Sequence, residues 1–452
     1  MSTMADLARD VARLITEMPV AGRSFSVGDA SVTEVYAMAA WLRARLAGRA
    51  DGAVCLAAED RAVIAAALLA SLAGGPVLLL PFAFSAQALV AMHKATGFAV
   101  VITDVHRDLP PGVEVVCPRR GDSGPEMHRQ AIAPREEILR LYTGGSTGVP
   151  QIWPKTGINL FAEALFLARH FGVSSTDRIV ATISPYHIYG LLYSVLLPLV
   201  SGASVAPGMP SYPDEIVHAV RERQASILVS VPAHYRILRD RSAMGPSLRL
   251  AFSSAGILDP DDNRDFYRHN PAGIVEIYGS TETGGIALRR RSRGEEQFTP
   301  YPTIAWRIEA ERLHIRSPYL SPNLPLQADG YFVTGDRVEA ADGGGFHLRG
   351  RADSITKVAG KRVDLEEIAA LIRRQPGVTD CLVMALDDDG GREHRIVAVV
   401  EGGDVEIEAL RRELAGHLEP YALPRAIRLV DRLPLRDNGK YDRPAILRLL
   451  AP

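Results

Sequence analysis

The chain is 452 residues long, and at about 150 residues per domain that length predicts roughly three domain-sized units, or one large domain with a smaller companion. Lys and Arg total 51 against 53 Asp and Glu, a formal charge of −2 that creates no global field for nucleic acid or an anionic membrane. With 47% hydrophobic and 23% charged residues, beside 39 Gly and 30 Pro, the composition excludes long disorder and implies a turn-rich globular protein.

The amino-terminal MSTMADLARDVARLITEMP intersperses acids and bases without an apolar core, so no signal peptide is expected. In chain order, the strand GAVCLA, a helix over about 59–72, the strand PVLLL, a helix near 86–96 and the strand FAVVIT predict a parallel α/β sheet with helices on its faces. The most membrane-like stretch lies here, AVIAAALLASLAGGPVLLL from Ala62. Gly74, Gly75 and Pro76 cut it into a helix and a buried strand, so no span is predicted. The alternation resumes after Gly148 with a helix over about 159–171, the strand RIVATI, an apolar helix after Tyr189, the strand ASVA, a further helix and the strand SILVSV. Between about 298 and 346 short strands and turns, as in RIEAERLHIRS and GYFVTGD, predict an antiparallel sheet appended to the α/β core. From Val363, the helix DLEEIAALIRRQ, the strands VTDCLVMAL and HRIVAVVE, the helix EIEALRRELAGHL and the strand AIRLVD predict a small α+β domain. Cys55, Cys117 and Cys381 lie far apart, which excludes a disulfide framework or cysteine zinc site and suits a reducing, cytoplasmic compartment.

Seven segments could carry chemistry. LYTGGSTGVP, residues 141–150, sets three glycines and three hydroxyls together, so its backbone N–H groups suit an anion such as phosphate. It lacks the Walker pattern, and by composition alone it is either a phosphate cradle or a surface turn. SPYHIYGLLYSVLLPL, from Ser184, places Tyr186, His187 and Tyr189 ahead of an apolar run, as either a pocket wall for an organic substrate or a core helix with a satisfied histidine. IYGSTETGG, from Ile277, sets Glu282 beyond the end of a strand, where open α/β sheets place ligand chemistry; it is a magnesium ligand or a solvated loop acid. Asp336 in GYFVTGD and Asp353 in GRADS either bind ribose hydroxyls or end a strand. Lys440, in LPLRDNGKYDR, follows a strong Asn-Gly turn and is a surface lysine unless another domain docks there. The Arg289, Arg290, Arg291, Arg293 cluster is either a dock for an acidic carrier or the CoA nucleotide, or a solvated loop.

Taken in this order, the segments resemble the adenylate-forming superfamily of acyl-CoA synthetases, peptide-synthetase adenylation domains and luciferases. LYTGGSTGVP is similar to its phosphate loop, SSAG at 253–256 to its adenine-side strand end, IYGSTETGG to its substrate and magnesium motif, GYFVTGD to its ribose motif, GRADSITKVAGKRV to its hinge and LPLRDNGKYDR to its carboxy-terminal lysine motif. The resemblance covers nearly the whole chain. It implies a large α/β body with an antiparallel sheet, residues 1–352, binding ATP and the acid, and a small mobile α+β domain, 353–452, carrying the catalytic lysine.

The implied chemistry is ATP-dependent activation of a carboxylic acid to an acyl-adenylate, then transfer to a thiol of CoA or a phosphopantetheinyl acyl carrier protein. By resemblance, Lys440 reaches the carboxylate and α-phosphate, Glu282 holds Mg²⁺, and Thr143, Gly144, Gly145, Ser146, Thr147 and Gly148 cradle the phosphates. Tyr278 stacks on adenine with Ala255 and Gly256 opposite, Gly279, Ser280 and Thr281 complete the nucleotide side, Asp336 takes the ribose hydroxyls and Arg351 supports them. Asp353 is the hinge, and Gly360 follows it towards the acyl-adenylate in the thiol-transfer state. His187, Tyr189, Tyr193, Ser253, Ser254, Gly279 and Ile286 form the acid pocket, and His187 is also counted among the residues acting in the reaction. An aromatic and hydroxyl lining favours a small aryl acid such as a hydroxybenzoate. The alternatives are a fatty acid, an adenylating component that acylates an amine or hydroxyl, and a non-catalytic nucleotide-binding relative. One departure is Gln151, where the family's loop continues with lysine; Lys155 is the nearest cation in sequence.

Overall fold

In the computed structural model the apolar run from Ala62 becomes a helix, Arg61–Leu72, whose 12 residues are all buried. Asp60 caps it by accepting the Ala62 N–H at 2.8 Å. The break after it is steric as well as conformational, since a Cβ on Gly75 would lie 2.7 Å from the Ala70 carbonyl oxygen. The chain therefore turns and enters the sheet, as the Gly-Gly-Pro signal predicts. The structure describes every residue except 1–2, 19–21, 50–51, 82, 129–132, 134–135, 144–150, 242, 353–354, 359–360, 388–393, 404, 437–440 and 451–452.

Two compact units result, Met1–Ala305 with Arg316–Phe332, and Trp306–Ile315 with Val333–Pro452. In the first, β1 (Val54–Leu56), β2 (Leu78–Leu80), β3 (Val100–Ile102), β4 (Glu114–Val116), β5 (Glu137–Thr143) and β6 (Gln151–Thr156) form a sheet of order β4-β3-β1-β2-β5-β6. All neighbours are parallel except β5 and β6, an antiparallel pair joined through residues 144–150. Every residue of β1, β2 and β3 is buried, which is why they read as uninterrupted apolar runs rather than alternating ones.

A second sheet follows from β7 (Arg178–Ala181), β8 (Ser204–Val205), β9 (Ile227–Ser230), β10 (Leu250–Ser253), β11 (Ile274–Ser280), β12 (Gly284–Arg289) and β13 (Thr299–Pro300), in the order β13-β12-β11-β10-β9-β7-β8. Strands β7 to β11 are parallel, while β12 and β13 run antiparallel at the edge. The register sets Ser230 beside Ser253 and Ser253 beside Glu276, so polar side chains gather at the strand ends. Two π-helical turns, Ile158–Ala162 and Leu192–Leu196, pack together among the buried helices; such turns recur near functional sites.

The second unit holds all but an end residue each of β14 (Ala305–Glu309), β15 (Arg312–Arg316) and β16 (Phe332–Ala340), which form one sheet with β17 (Phe346–Arg351), then the hairpin of β18 (Ile355–Val358) and β19 (Lys361–Asp364). It thus takes in the antiparallel sheet as well as the residues after 353. Its last sheet joins β20 (Val378–Asp387), β21 (His394–Gly402) and β22 (Ala426–Val430). Alternation is strict there: Cys381, Val383, Ile396, Ala398 and Val400 pack with Ile368, Ile372, Leu410 and Leu414, whereas Leu382, Met384, Val397 and Val399 pack with Leu433 and Ile446. Both faces of this small sheet are covered. Among the described residues no helix is long and apolar enough to cross a membrane.

Candidate active site

The β11–β12 hairpin carries Glu282. Its turn is tied by reciprocal bonds: the Ser280 N–H donates to Thr283 Oγ1 at 3.1 Å and the Thr283 N–H to Ser280 Oγ at 3.3 Å. Glycine is required beside it, because a Cβ on Gly279 would sit 2.3 Å from the Gly284 carbonyl oxygen, and Gly284 itself has φ +67°. The Glu282 carbonyl accepts the Ser321 N–H at 2.8 Å, while its half-buried carboxylate makes no hydrogen bond or ion pair among the described residues. Among those residues no group of three or more His, Cys, Asp or Glu could hold a metal by itself. A single uncommitted carboxylate fits Mg²⁺ bound to a nucleotide, because that ion keeps phosphate and water as its other ligands. Thr281 precedes Glu282 in the same turn, half-buried.

Beneath this turn lie two buried ionisable side chains. Lys155, on β6, points its ammonium at the carbonyls of Glu282 and Tyr319, both at 3.5 Å. It is a core residue, whatever its nearness in sequence to Gln151. Glu163 accepts the Gly285 N–H at 2.8 Å. Burial pushes the lysine's pKa down, and the charges of Glu163 and Glu282 pull it back up. Burial pushes the Glu163 pKa up, against the Gly285 N–H and the Lys155 charge.

The expected acid-pocket residues are largely brought together. The rings of Tyr189 and Tyr193 meet edge to face at 4.8 Å, and Tyr193 meets Phe252 at 5.0 Å, directly before Ser253. The Tyr189 hydroxyl donates to the Ser230 carbonyl at 3.2 Å. Tyr193 Oη and Ser253 Oγ, by contrast, are buried without a hydrogen-bond partner among the described residues, as is Tyr301 Oη. Burial, and after it nearby groups including Glu163, push the pKa of both Tyr193 and Tyr301 up; Ile286 is buried and accepts the Tyr301 N–H at 2.9 Å. Tyr186 is different. Its hydroxyl donates to the Ala58 carbonyl at 2.6 Å inside the core, so of the two readings it takes the structural one. His187 is half-buried at the start of the helix Ile188–Leu191. Ser254 donates to the Ile277 carbonyl at 2.8 Å and joins the ends of β10 and β11.

After that strand end Ala255 adopts φ +69°, a left-handed conformation unusual for alanine, with exposed Gly256 next to it. Tyr278, on β11, is half-buried 5.6 Å from the Phe298 ring. In the second unit, Asp336 and Arg351 face each other across β16 and β17, with Nη1 and Oδ1 4.0 Å apart. Thr143 ends β5 opposite Gln151. Gly144, Gly145, Ser146, Thr147, Gly148, Asp353, Gly360 and Lys440 lie outside the described residues.

Comparison with known proteins decides the class. The sequence model of the AMP-binding enzyme family matches residues 30–333, and that of the AMP-binding enzyme C-terminal domain matches 367–440. The chain belongs to the AMP-binding enzyme family. Sulfoacetate–CoA ligase of Cupriavidus necator is 26% identical over 342 residues, covering 70% of this chain and 67% of the relative. Anthranilate–CoA ligase of Pseudomonas aeruginosa is 28% identical over 362 residues, covering 72% and 68%. The crystal structure of ATP-bound MatB from Rhodopseudomonas palustris shares the fold with a TM-score of 0.82 at 21% identity, covering 97% of this chain and 98% of that one. This AMP-binding enzyme is an AMP-forming acid–thiol ligase: it activates a carboxylic acid with ATP and forms a thioester.

Within this AMP-binding enzyme, Glu163 and Tyr301 are the site neighbours that sequence reading passed over. A signal for Glu163 existed: it is an acid on an apolar helix whose Leu160, Phe161, Ala164 and Leu167 are all buried. The arginine cluster also resolves. Arg289 holds Glu276 at 2.7 Å and lies over Phe298, and Arg291 donates to the Leu258 carbonyl at 3.1 Å, so these two belong to the sheet edge rather than to a solvated loop.

Proposed function

We propose that this enzyme activates a small aryl acid, such as a hydroxybenzoate, and passes it to the thiol of CoA or of a phosphopantetheinyl acyl carrier protein in the cytoplasm. The observation that carries the acid class is the Tyr189, Tyr193, Phe252 ring cluster, which ends at buried hydroxyls of Tyr193 and Ser253 that have no hydrogen-bond partner among the described residues. Burying an unsatisfied hydroxyl costs about 1–3 kcal/mol, and a polar substituent on an aromatic ring would offset that cost. The relative that acts on anthranilate, an amino-substituted aryl acid, supports the same class.

In the first half-reaction two anions approach, a carboxylate and the α-phosphate of ATP, so the barrier is mainly electrostatic and positional. A magnesium ion on the triphosphate would supply neutralising charge when bound. Glu282 would hold it, and Thr143, Ser146 and Thr147 would cradle the β- and γ-phosphates. Tyr278, Ala255 and Gly256 would bracket adenine, Asp336 would take the ribose hydroxyls, and Lys440 would lie between carboxylate and phosphate. The acyl-adenylate then presents AMP as leaving group to a thiol. Residues 353–452 would rotate about Asp353 between the two half-reactions, withdrawing Lys440.

The test is a mass-spectrometric product assay with ATP, Mg²⁺ and a panel of aryl and alkyl acids, offering CoA and holo-carrier protein in parallel. A thioester of a hydroxy- or amino-benzoate supports the proposal. Exclusive use of alkyl acids, or acylation of amines alone, rejects it.

A further inference from the structure

Five buried tyrosines spend their hydroxyls inside the fold. Tyr36 donates to the Leu14 carbonyl at 2.6 Å, Tyr186 to that of Ala58 at 2.6 Å, Tyr189 to that of Ser230 at 3.2 Å, Tyr235 to that of Phe252 at 2.9 Å and Tyr319 to Thr303 Oγ1 at 3.2 Å. Tyr301 differs. It is 1% exposed, yet its hydroxyl has no hydrogen-bond partner among the described residues, and neither has that of Tyr193. Phenylalanine would fill the same space without leaving a buried polar atom unsatisfied, so packing alone does not account for the oxygen.

Tyr301 is held from three sides. Its N–H donates to the Ile286 carbonyl at 2.9 Å, the Phe166 ring packs on its own with centroids 4.9 Å apart, and the Gly285 backbone lies against its hydroxyl edge. A Cβ on Gly285 would come within 2.8 Å of Tyr301 Cε2 and 3.1 Å of Oη, so this approach depends on glycine. Gly285 pairs with Gly279 across β11 and β12, and both Gly279 and Ile286 are expected acid-pocket residues. From Tyr301 the rings of Phe166, His170, Phe171 and Phe252 lead on to Tyr193, with successive centroids 4.8–5.2 Å apart. A hydroxyl fixed in this way, able to donate and to accept, loses little freedom when a ligand pairs with it.

We propose that Tyr301 is a specificity-determining residue for the acid: its hydroxyl bonds a hydroxyl substituent on the substrate ring and so selects a hydroxybenzoate over benzoate and methylbenzoates. The inference rests on the aryl-acid reading of the Tyr189, Tyr193, Phe252 cluster. A site built to bond a substrate hydroxyl rejects an analogue lacking it far more strongly than an apolar pocket rejects a missing methylene, because its own polar group is left unpaired. Tyr301 adds a third such group to Tyr193 and Ser253.

The test compares kcat/KM in acid-dependent ATP–pyrophosphate exchange on benzoate, the three monohydroxybenzoates and the three methylbenzoates, in the parent and in Tyr301→Phe, with thermal unfolding alongside. The parent is expected to prefer one hydroxybenzoate to its methyl counterpart by about tenfold or more. Tyr301→Phe is expected to lose about tenfold on that hydroxybenzoate and to keep or gain activity on the methyl counterpart and on benzoate. Its thermal midpoint without substrate is expected to equal or exceed the parent's, since the fold loses no hydrogen bond. An unchanged preference in Tyr301→Phe overturns the assignment, as does equal loss on hydroxy and methyl acids. A lower midpoint, or failure to fold, shows that the hydroxyl is bonded within the structure and overturns it likewise. A parent that uses hydroxybenzoates no better than benzoate removes the role of Tyr301 and leaves the aryl-acid reading standing. A parent that activates alkyl acids alone overturns that reading, and the assignment with it.

Discussion

Glu163 Oε1 and the Gly285 N–H are 2.8 Å apart, although 122 residues separate them in sequence. The contact joins the helix after the phosphate loop to the far strand of the Glu282 hairpin. It requires that residue 285 have no side chain: a Cβ there would lie 2.8 Å from Tyr301 Cε2 and 2.9 Å from Glu163 Oε1.

Gly285→Ala should therefore destabilise the first unit by about 1–3 kcal/mol through overpacking and raise the KM for the acid. Thermal unfolding and steady-state kinetics check it. An unchanged midpoint would show that Tyr301 and Glu163 can move aside freely.

Glu282→Gln should leave stability within about 0.5 kcal/mol of the parent, because the side chain has no hydrogen bond or ion pair to lose among the described residues. Acid-dependent ATP–pyrophosphate exchange should fall by about 10²–10³ if the carboxylate positions charge at the triphosphate.

Asp336→Asn should act on the nucleotide. Its carboxylate is 4.0 Å from the Arg351 guanidinium; if it takes the two ribose hydroxyls as proposed, losing the charge should raise the KM for ATP by about 10-fold or more, at about 1.5–3 kcal/mol per bond to a charged group. A KM change confined to the acid would remove Asp336 from the ribose.

Lys440→Ala should abolish adenylation yet leave thiol attack on supplied acyl-adenylate largely intact. Equal loss of both half-reactions would sink domain alternation.

Asp177 gives a pH prediction. Burial pushes its pKa up, but bonds from Arg249, Ser226 and Ser174 outweigh that and leave it below the ordinary carboxylate value. A depressed folded-state pKa contributes stability that is fully present above the unfolded value of about 3.9 and is lost as pH falls through the folded one. Asp177→Asn should cost about 1–3 kcal/mol near neutrality, and the gap in thermal midpoint between parent and variant should close below about pH 4.

The class of this protein was legible in its sequence because adenylation chemistry is carried by short contiguous segments whose composition is dictated locally. Glycines at 279 and 284 mark a turn that tolerates no side chain, and the uninterrupted apolar runs at β1, β2 and β3 mark a doubly covered parallel sheet. Such features depend on neighbours in sequence. The role of Lys155 did not. In sequence Lys155 is only the nearest cation to a missing lysine, and it is the tertiary structure that buries it beneath Glu282, with its ammonium at the Glu282 and Tyr319 carbonyls. Tyr186 and Tyr189, three residues apart, look alike in sequence, but one hydroxyl is spent on Ala58 and the other on Ser230 beside Ser253. Burial, countercharge and hydrogen-bond partners are relations between distant segments. They come into being only when the sheets close, so the tertiary structure alone decided which charges and hydroxyls are committed to the fold and which are left for a substrate.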